Sequence, residues 1–348
     1  MKRFLNRLVL TLALIVAGIT IPALPAHAAS NGLGITPRKN YTLQPGAHIT
    51  DTLYINNLSQ TQTLSVGLKV VDFSAKDQTG SPSLALQKNA PQTSWSLKPF
   101  ITMPASVTIP AGKAVNVPIS ISIPATQGAG SYYSAIDYTA QNSPGEQNVT
   151  LSASSVSLVF VTVPGQAHEY MQLKQFGAFI PNGDDTTGSF SSWFFGGAPS
   201  TLAYVLQNQG NVAEQPTGSM VIKNMFGKQV RSVDQVNPKN QLALIDQTRR
   251  FETCVQPINK TAKTGTGEDQ TTVVCETPHL APGRYTAQLA VFYGLNGSSN
   301  QEIMATATFW YLPVWFLALI FVVLFAVVLG IYLLQRKIRR ATPRGKRK

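Results

Sequence analysis

A long run without charged side chains near the C-terminus limits what this 348-residue chain can fold into. Residues 310–334 have the sequence WYLPVWFLALIFVVLFAVVLGIYLL. At a rise of ~1.5 Å per residue, about twenty apolar residues cross the ~30 Å hydrocarbon core of a bilayer. The sequence therefore predicts a transmembrane α-helix over residues 310–334.

Aromatic and basic residues flank this run as they flank a membrane anchor. Aromatic rings suited to the two membrane interfaces occur at both ends: Trp310, Tyr311, Trp315 and Tyr332. The tail, 335–348, has eight Lys or Arg and no acid, beginning with Arg336, Lys337, Arg339 and Arg340. Such cations hold a tail in the cytoplasm and attract the lipid bilayer surface. A nucleic-acid-binding or regulatory tail is the alternative.

The distribution of charge argues against a nucleic-acid partner. The formal net charge is +12, but three basic residues lie in the first seven positions and eight lie in the tail. The remaining 17 basic residues face 16 acidic ones between residues 29 and 335. A nucleic-acid binder needs its cations on the folded surface that meets phosphate, so we expect no such function.

The N-terminus has the features of a secretory signal. A basic start and an apolar stretch precede Ala26-His27-Ala28, which fits a signal-peptidase site. We predict a signal peptide over residues 1–28, with an uncleaved signal anchor as the alternative. The domains between signal and helix would then lie outside the cell membrane, extracellular or periplasmic, and the C-terminus in the cytoplasm.

The chain has two cysteines, Cys254 and Cys275, and both lie in the predicted exported region. An even count in an oxidising compartment favours a disulfide between them, with two free thiols as the alternative. The polar, Gly- and Thr-rich stretch that they enclose is interpreted as a long loop.

Strand patterns dominate residues 33–309. Residues 64–70 and 115–124 alternate apolar with small or polar side chains, as in sheets with one buried face. Pro118 within the second run favours an edge strand. With no helical periodicity and frequent Gly, Pro and Asn, this region predicts an all-β fold of immunoglobulin-like β-sandwiches.

The length of the β-rich region favours two tandem sandwiches. An internal echo supports this: residues 53–70 resemble 203–224, and residues 124–140 resemble 280–294. The predicted organisation is a signal peptide over 1–28, a first sandwich over 29–165, a second over 166–309, a single-pass transmembrane helix over 310–334 and a basic cytoplasmic tail over 335–348.

Three adjacent aromatic residues, Trp193, Phe194 and Phe195, form a candidate partner-contact loop. Alternate side chains of a strand point to opposite faces, so at least one ring should face outward, pack on the other domain or reach the membrane. Interdomain or local packing is the alternative to partner contact. Asp184-Asp185 in the same loop lacks the spacing of a calcium site and is interpreted as a solvated turn.

Motifs of catalysis, cofactor binding and metal binding are absent from the sequence. The three histidines of the mature chain are far apart, and no nucleophile elbow, Walker loop or dinucleotide-binding glycine motif occurs. We therefore expect a non-enzymatic protein without cofactors or metals. An enzyme whose active-site residues are dispersed in sequence is the alternative.

Three segments carry a resemblance to a known family: GITPRKNYTLQPGAHITDTLYINNLS, GAGSYYSAIDYTA and SLVFVTVPG. They resemble the WxL-interacting protein family of bacterial cell surfaces, whose N-terminal module is described as peptidoglycan-binding. The second half looks like the β-sandwich that follows it in related membrane-anchored proteins. The resemblance implies peptidoglycan binding by residues 33–164, but it assigns no individual residue, and the Cys254–Cys275 segment does not match it.

Together these features predict a membrane-anchored bacterial cell-surface binding protein that engages peptidoglycan, another surface protein or both. The alternative hypothesis is a membrane-tethered, chaperone-like protein that presents a sheet edge to secreted clients.

Overall fold

The computed structural model describes residues 32–75, 77–87, 89–141, 154–182, 187–263, 269–294 and 301–341. The predicted signal peptide, Asp184-Asp185 and tail residues 342–348 lie outside the described residues, as do the side chains of Arg339 and Arg340.

Two stacked sheets form the first sandwich. Its strands are β1 (Leu33–Ile35), β2 (Arg38–Thr42), β3 (His48–Asn57), β4 (Leu64–Val71), β5 (Phe73–Ala75), β6 (Pro82–Leu84), β7 (Ile101–Thr102), β8 (Ser106–Ile109), β9 (Ala114–Ser122), β10 (Gly130–Gln141) and β11 (Ser154–Val163), with a 3-10 turn at Lys98–Phe100. One sheet has the order β1-β3-β9-β7 and the other β2-β11-β10-β4-β8. β5 and β6 form a separate hairpin.

The second sandwich repeats this plan. Its strands are β12 (Met171–Pro181), β13 (Gly188–Phe190), β14 (Trp193–Phe194), β15 (Thr201–Asn208), β16 (Thr217–Asn224), β17 (Gln229–Val233), β18 (Thr248–Cys254), β19 (Pro257–Lys263), β20 (Asp269–Cys275), β21 (Gly283–Tyr293) and β22 (Gln301–Tyr311). One sheet has the order β13-β12-β15-β18 and the other β14-β22-β21-β16-β17, with β19-β20 as a separate hairpin.

The two sandwiches share one topology. In each, a short edge strand pairs in parallel with the last strand, β2 with β11 and β14 with β22, whereas the other strand pairs are antiparallel. The predicted echo is confirmed, because residues 53–70 form β3 and β4 and residues 203–224 form β15 and β16, which hold equivalent places. β10 and β21 are equivalent in the same way.

The alternating pattern buries one face of each strand. Val117, Ile119 and Ile121 in β9 are at most 2% exposed, whereas Pro118 and Ser120 between them are not buried. Each sandwich encloses its own apolar core, and the largest fully buried side chains include Tyr138 in the first and Tyr204 in the second. The all-β, two-sandwich fold class predicted from the sequence is confirmed.

Pro118 does not lie in the outermost strand of its sheet, because β9 has β3 on one side and β7 on the other. The short β7 pairs only with Ser120 and Ile121. The outer side of β9 at Pro118 is therefore unpaired in the described part of the chain, which is the environment that a residue without an N–H group requires.

The C-terminal helix, α1 (Val314–Ala341), begins later than predicted. Trp310 and Tyr311 belong to β22, where they pair with Arg284 and Gly283 of β21. The predicted start at residue 310 differs from the observed one because the aromatic end of β22, Phe309–Tyr311, runs directly into the apolar helix. Within α1, residues Val314–Lys337 are long and apolar enough to cross a membrane, and that segment is not buried against the sandwiches.

The disulfide between Cys254 and Cys275 is present, as predicted. The stretch that it encloses is not simply a long loop, because β19 and β20 pair along their full length as a hairpin. β-branched residues such as Ile258 and Val274 favour these strands, although the strands lack the alternating apolar pattern by which strands are recognised in sequence.

Candidate functional site

The aromatic loop predicted from the sequence divides its side chains between core and solvent. Phe194 is 8% exposed and packs edge-on against Phe309 with ring centroids 6.0 Å apart. Trp193 and Phe195 point outward and stack, and Trp193 also stacks on Trp310 at 5.7 Å. Thus two of the three rings are available at the surface.

This loop lies against the start of α1. Backbone N–H groups of Leu312 and Val314 donate to the carbonyls of Phe194 and Phe195 at 2.8 and 3.1 Å. The helix is therefore hydrogen-bonded to the second sandwich at its first residue. An apolar groove of about 350 Å³ separates the loop from the end of β12 at Phe179–Pro181.

The other predicted anchor residues follow along α1. Trp315 lies in the first turn, Tyr332 near the far end, and Arg336 and Lys337 one turn beyond it; all four are exposed. At ~1.5 Å per residue, Trp315 and Tyr332 are about 25 Å apart along the axis, close to the thickness of a hydrocarbon core.

The two sandwiches are joined by an apolar interface on the outer face of the β10-β11 sheet. It consists of Val71, Phe73, Tyr133, Ala135 and Phe160 from the first sandwich and Ala213 and Leu244 from the second. Phe73, Tyr133 and Phe160 contact one another as rings, with centroids 5.1–6.0 Å apart.

Hydrogen bonds cross the same interface. Ser131 N–H donates to the Asn211 carbonyl at 2.9 Å, and Ala213 N–H donates to Ser131 Oγ at 3.0 Å. On the opposite side of the interface, Arg250 N–H donates to the carbonyl of Gln78 at 2.8 Å. Directional bonds on two sides of an apolar cluster hold one sandwich at a defined angle to the other.

A crevice of about 210 Å³ opens beside this interface. Arg38, Asn40, Tyr41 and Phe160 line it from the first sandwich, and Glu214 and Leu242 line it from the second. The Arg38 guanidinium lies 4.7 Å above the Phe160 ring, and its Nε donates to Asn40 Oδ1 at 2.8 Å. This arrangement orients a cation toward the crevice.

Glu214 brings a buried carboxyl to the same crevice. It is 1% exposed, Oε2 accepts from Gly294 N–H at 3.0 Å, and Oε1 has no partner among the described groups. Burial raises the pKa of Glu214 to about 7, and the neighbouring charge of Glu169 adds to this. Near neutral pH this carboxyl can therefore act as donor or acceptor.

Strand β2 forms the wall of the crevice and an edge of its sheet. Leu158 N–H donates to the Pro37 carbonyl, and Leu43 N–H donates to the Thr162 carbonyl. Odd-numbered residues of β2 therefore point their backbone groups at β11, and Arg38, Asn40 and Thr42 point theirs outward. No other strand among the described residues pairs with that outer edge.

An ion pair between Lys39 and Asp51 ties β2 to β3. Lys39 Nζ and Tyr41 Oη both donate to Asp51 Oδ2 on β3, at 2.8 and 2.7 Å. These hydrogen bonds lower the pKa of Asp51 to about 2. The side chains of Lys39 and Tyr41 thus hold the edge strand to β3 of the same sandwich.

The described residues contain no cluster of three or more His, Cys, Asp or Glu that could hold a metal ion. The sequence did not indicate the crevice, since Arg38 and Glu214 belong to different sandwiches and meet only through domain packing. The only local signal for the crevice in the sequence was the polar composition of β2, which includes Arg38.

No family model matches the chain, and the search of curated proteins found no match. Among solved structures, the class 5 fimbriae chaperone CfaA shares 9% identity at a TM-score of 0.38, over 79% of this chain and 98% of that one. The E. coli chaperone DraB shares 13% at 0.33, over 79% and 98%. The PapD-like domain 7 of human CEP192 shares 15% at 0.27, over 39% and 87%. At such TM-scores these likenesses carry no functional inference.

Proposed function

We propose that this protein is a membrane-anchored, non-catalytic binding protein that holds an exported partner in the crevice between its two sandwiches. The observation that carries the proposal is the oriented Arg38 guanidinium beside an unpaired strand edge, in a crevice whose two walls are fixed by the domain interface. A guanidinium can bind a carboxylate of a polypeptide, and an unpaired strand edge can pair with an extended chain.

The anchor gives the proposed orientation. Helix α1 is followed by basic residues from Arg336 onward, which favours a cytoplasmic C-terminus. The sandwiches then lie on the outer side, in the oxidising space that the Cys254–Cys275 disulfide requires. A partner must be exported to meet them.

The chemistry of the crevice favours a peptide segment with a carboxylate. A guanidinium binds a carboxylate through two parallel hydrogen bonds, and outward N–H and C=O groups of β2 can pair with an extended chain. The resemblance to WxL-interacting proteins supports peptidoglycan as a further ligand of residues 33–164. The peptide stems of peptidoglycan also carry carboxylates.

A crosslinking experiment in intact cells tests this proposal. A photo-reactive amino acid at Gln215, which lines the crevice, should capture the partner. The same group at Lys113, an exposed residue at the far end of the first sandwich, serves as the matched control. Equal capture at both positions, or capture at neither, would contradict the proposal. Recovery of muropeptides at Gln215 would show that the partner is the wall polymer and not a protein.

The variant Arg38→Ala should weaken that capture. A hydrogen bond to a charged group contributes about 1.5–3 kcal/mol, so we expect about 10- to 100-fold lower affinity. Lys113→Ala removes an equal charge elsewhere and should leave binding unchanged. If Arg38→Ala binds the partner with unchanged affinity, the guanidinium takes no part in the proposed site.

A second candidate, a chaperone-like protein that adds a client strand to its sheet edge, is favoured by the open edge of β2. Asn40→Pro deletes an outward N–H while leaving the bonds to β11 in place, because Asn40 points away from that strand. Asn40→Ala loses the same side chain and keeps the N–H. If strand addition occurs, only the proline variant loses client binding; if both variants bind equally, the edge plays no part.

A further inference from the structure

Large apolar side chains are exposed at one end of the second sandwich, here called the base, where β14 and β22 stop and α1 begins. They are Trp193 at 51%, Phe195 at 46%, Met225 at 54%, Phe226 at 85% and Trp315 at 61% exposed. Clusters of exposed apolar side chains on soluble domains mark interaction surfaces.

Strand register places the turn that carries Met225 and Phe226 at this base. Gly283 of β21 pairs with Tyr311, the last residue of β22, and Asn224 of β16 pairs with Tyr285 two residues further on. The turn begins directly after Asn224. Phe226 therefore projects from the same end as Trp193 and Phe195, with the two strands β22 and β21 between them.

The connection to the helix fixes the distance from base to bilayer. Only Leu312 and Pro313 separate β22 from α1, and a residue spans at most ~3.6 Å. The headgroup layer on each side of the hydrocarbon core is about 5–8 Å thick. If α1 crosses the membrane, the base lies within that layer.

The composition of the base suits this location. Segments 188–201, 223–233 and 310–335, which supply the exposed apolar residues, contain no Asp or Glu. Lys228 in the same turn and Arg284, opposite Trp310, are exposed. Aromatic rings with nearby cations match the polar-apolar boundary of a bilayer.

We propose that the base of the second sandwich docks on the outer lipid surface, with Trp193, Phe195 and Phe226 in the headgroup layer. This inference rests on the proposed membrane anchoring by α1. A single helix leaves a domain free to tilt, and a second contact at Phe226, displaced from the helix across the sheet, restrains that tilt. The docked base holds the crevice at a fixed orientation to the membrane.

Site-specific fluorescence on the full chain in phosphatidylcholine/phosphatidylglycerol vesicles tests the docking. An environment-sensitive dye on Phe226→Cys should shift its emission to the blue and lose intensity when lipids carry a nitroxide at the headgroup. Phe226 is highly exposed, so this label leaves the core unchanged. The same dye on Lys113→Cys should stay quenchable by aqueous iodide and insensitive to the nitroxide.

A third label, on Val328→Cys in α1, separates docking from anchoring. If the label at 328 is quenched by lipid nitroxide while that at 226 behaves like the one at 113, the docking is wrong and the anchor stands. If the label at 328 also remains accessible to iodide, the anchoring fails and the docking fails with it.

Discussion

At the residue scale, two buried asparagines show how the duplicated fold is specified. Asn57 ends β3 and Asn208 ends β15, and both are fully buried. Each side chain donates to backbone carbonyls across the following turn and accepts an N–H two residues on. The same amide satisfies the same orphan backbone groups in both sandwiches, which a non-polar residue could not do.

The tyrosines at the start of the equivalent strands repeat in the same way. Tyr132 and Tyr285 each follow a glycine by two residues and donate to the carbonyl four residues upstream. Such a tyrosine corner is a hallmark of immunoglobulin-like sandwiches. The sequence echo between residues 124–140 and 280–294 contains this pair.

Gly130 should be intolerant of any side chain. Its φ of 147° disfavours other residues, and an added Cβ would lie 2.8 Å from the Asn211 carbonyl across the interface. We expect Gly130→Ala to lower the free energy of unfolding by about 1–3 kcal/mol, measured by denaturant titration. Gly128→Ala, where an added Cβ meets nothing closer than 4.0 Å, is the matched control. Equal stability of the two variants would contradict the close approach.

Glu214 should make stability depend on pH. Its pKa is raised from 4.5 to about 7 on folding, so the folded state binds the proton more tightly. Stability should therefore fall as pH rises from about 4.5 to about 7 and level off above, by up to about 3 kcal/mol from this group. Unfolding of Glu214→Gln, which cannot titrate, should lack this component. Identical pH profiles would show that the carboxyl is not buried as described.

At the scale of elements, local signals in the sequence predicted the strands with one buried face, the disulfide and the presence of the membrane helix. In strands with one buried face, such as β9, apolar residues recur at every second position. The membrane helix α1 is recognised by its length and its apolar composition. The boundary near Pro313 could not be predicted, because β22 ends in three aromatic residues, Phe309–Tyr311, that run directly into the apolar helix. The β19-β20 hairpin was missed because an exposed hairpin has no buried face to impose a pattern.

The disulfide should matter mainly to that hairpin. Cys254 and Cys275 join its base, and among the described residues β19 and β20 pair with no other sheet. Cys254→Ser with Cys275→Ser should reduce stability by no more than about 3 kcal/mol. Amide exchange should rise in β19 and β20 and remain unchanged in β15. Faster exchange throughout the second sandwich would mean that the bridge supports the whole domain.

At the scale of the molecule, the proposed binding site depends on contacts between the two sandwiches that sequence patterns do not encode. The crevice exists because an apolar cluster around Tyr133 and Phe160 joins the sandwiches. Residues on the outer face of one sandwich are buried only where the other sandwich covers them. For this reason neither Arg38 nor Glu214 was predicted as a site residue from the sequence. The sequence singled out the aromatic loop because three successive rings cannot all be buried on one side of a strand, and its role in partner contact stays a prediction.

Membrane topology is the most direct test of the central claim that α1 anchors outward-facing sandwiches. In intact cells, or in spheroplasts where an outer membrane exists, a membrane-impermeant maleimide should label Lys113→Cys without permeabilisation. Lys346→Cys in the basic tail should be labelled only after detergent is added. Labelling of the tail in intact cells, with the sandwich cysteine protected, would invert the topology and contradict the account.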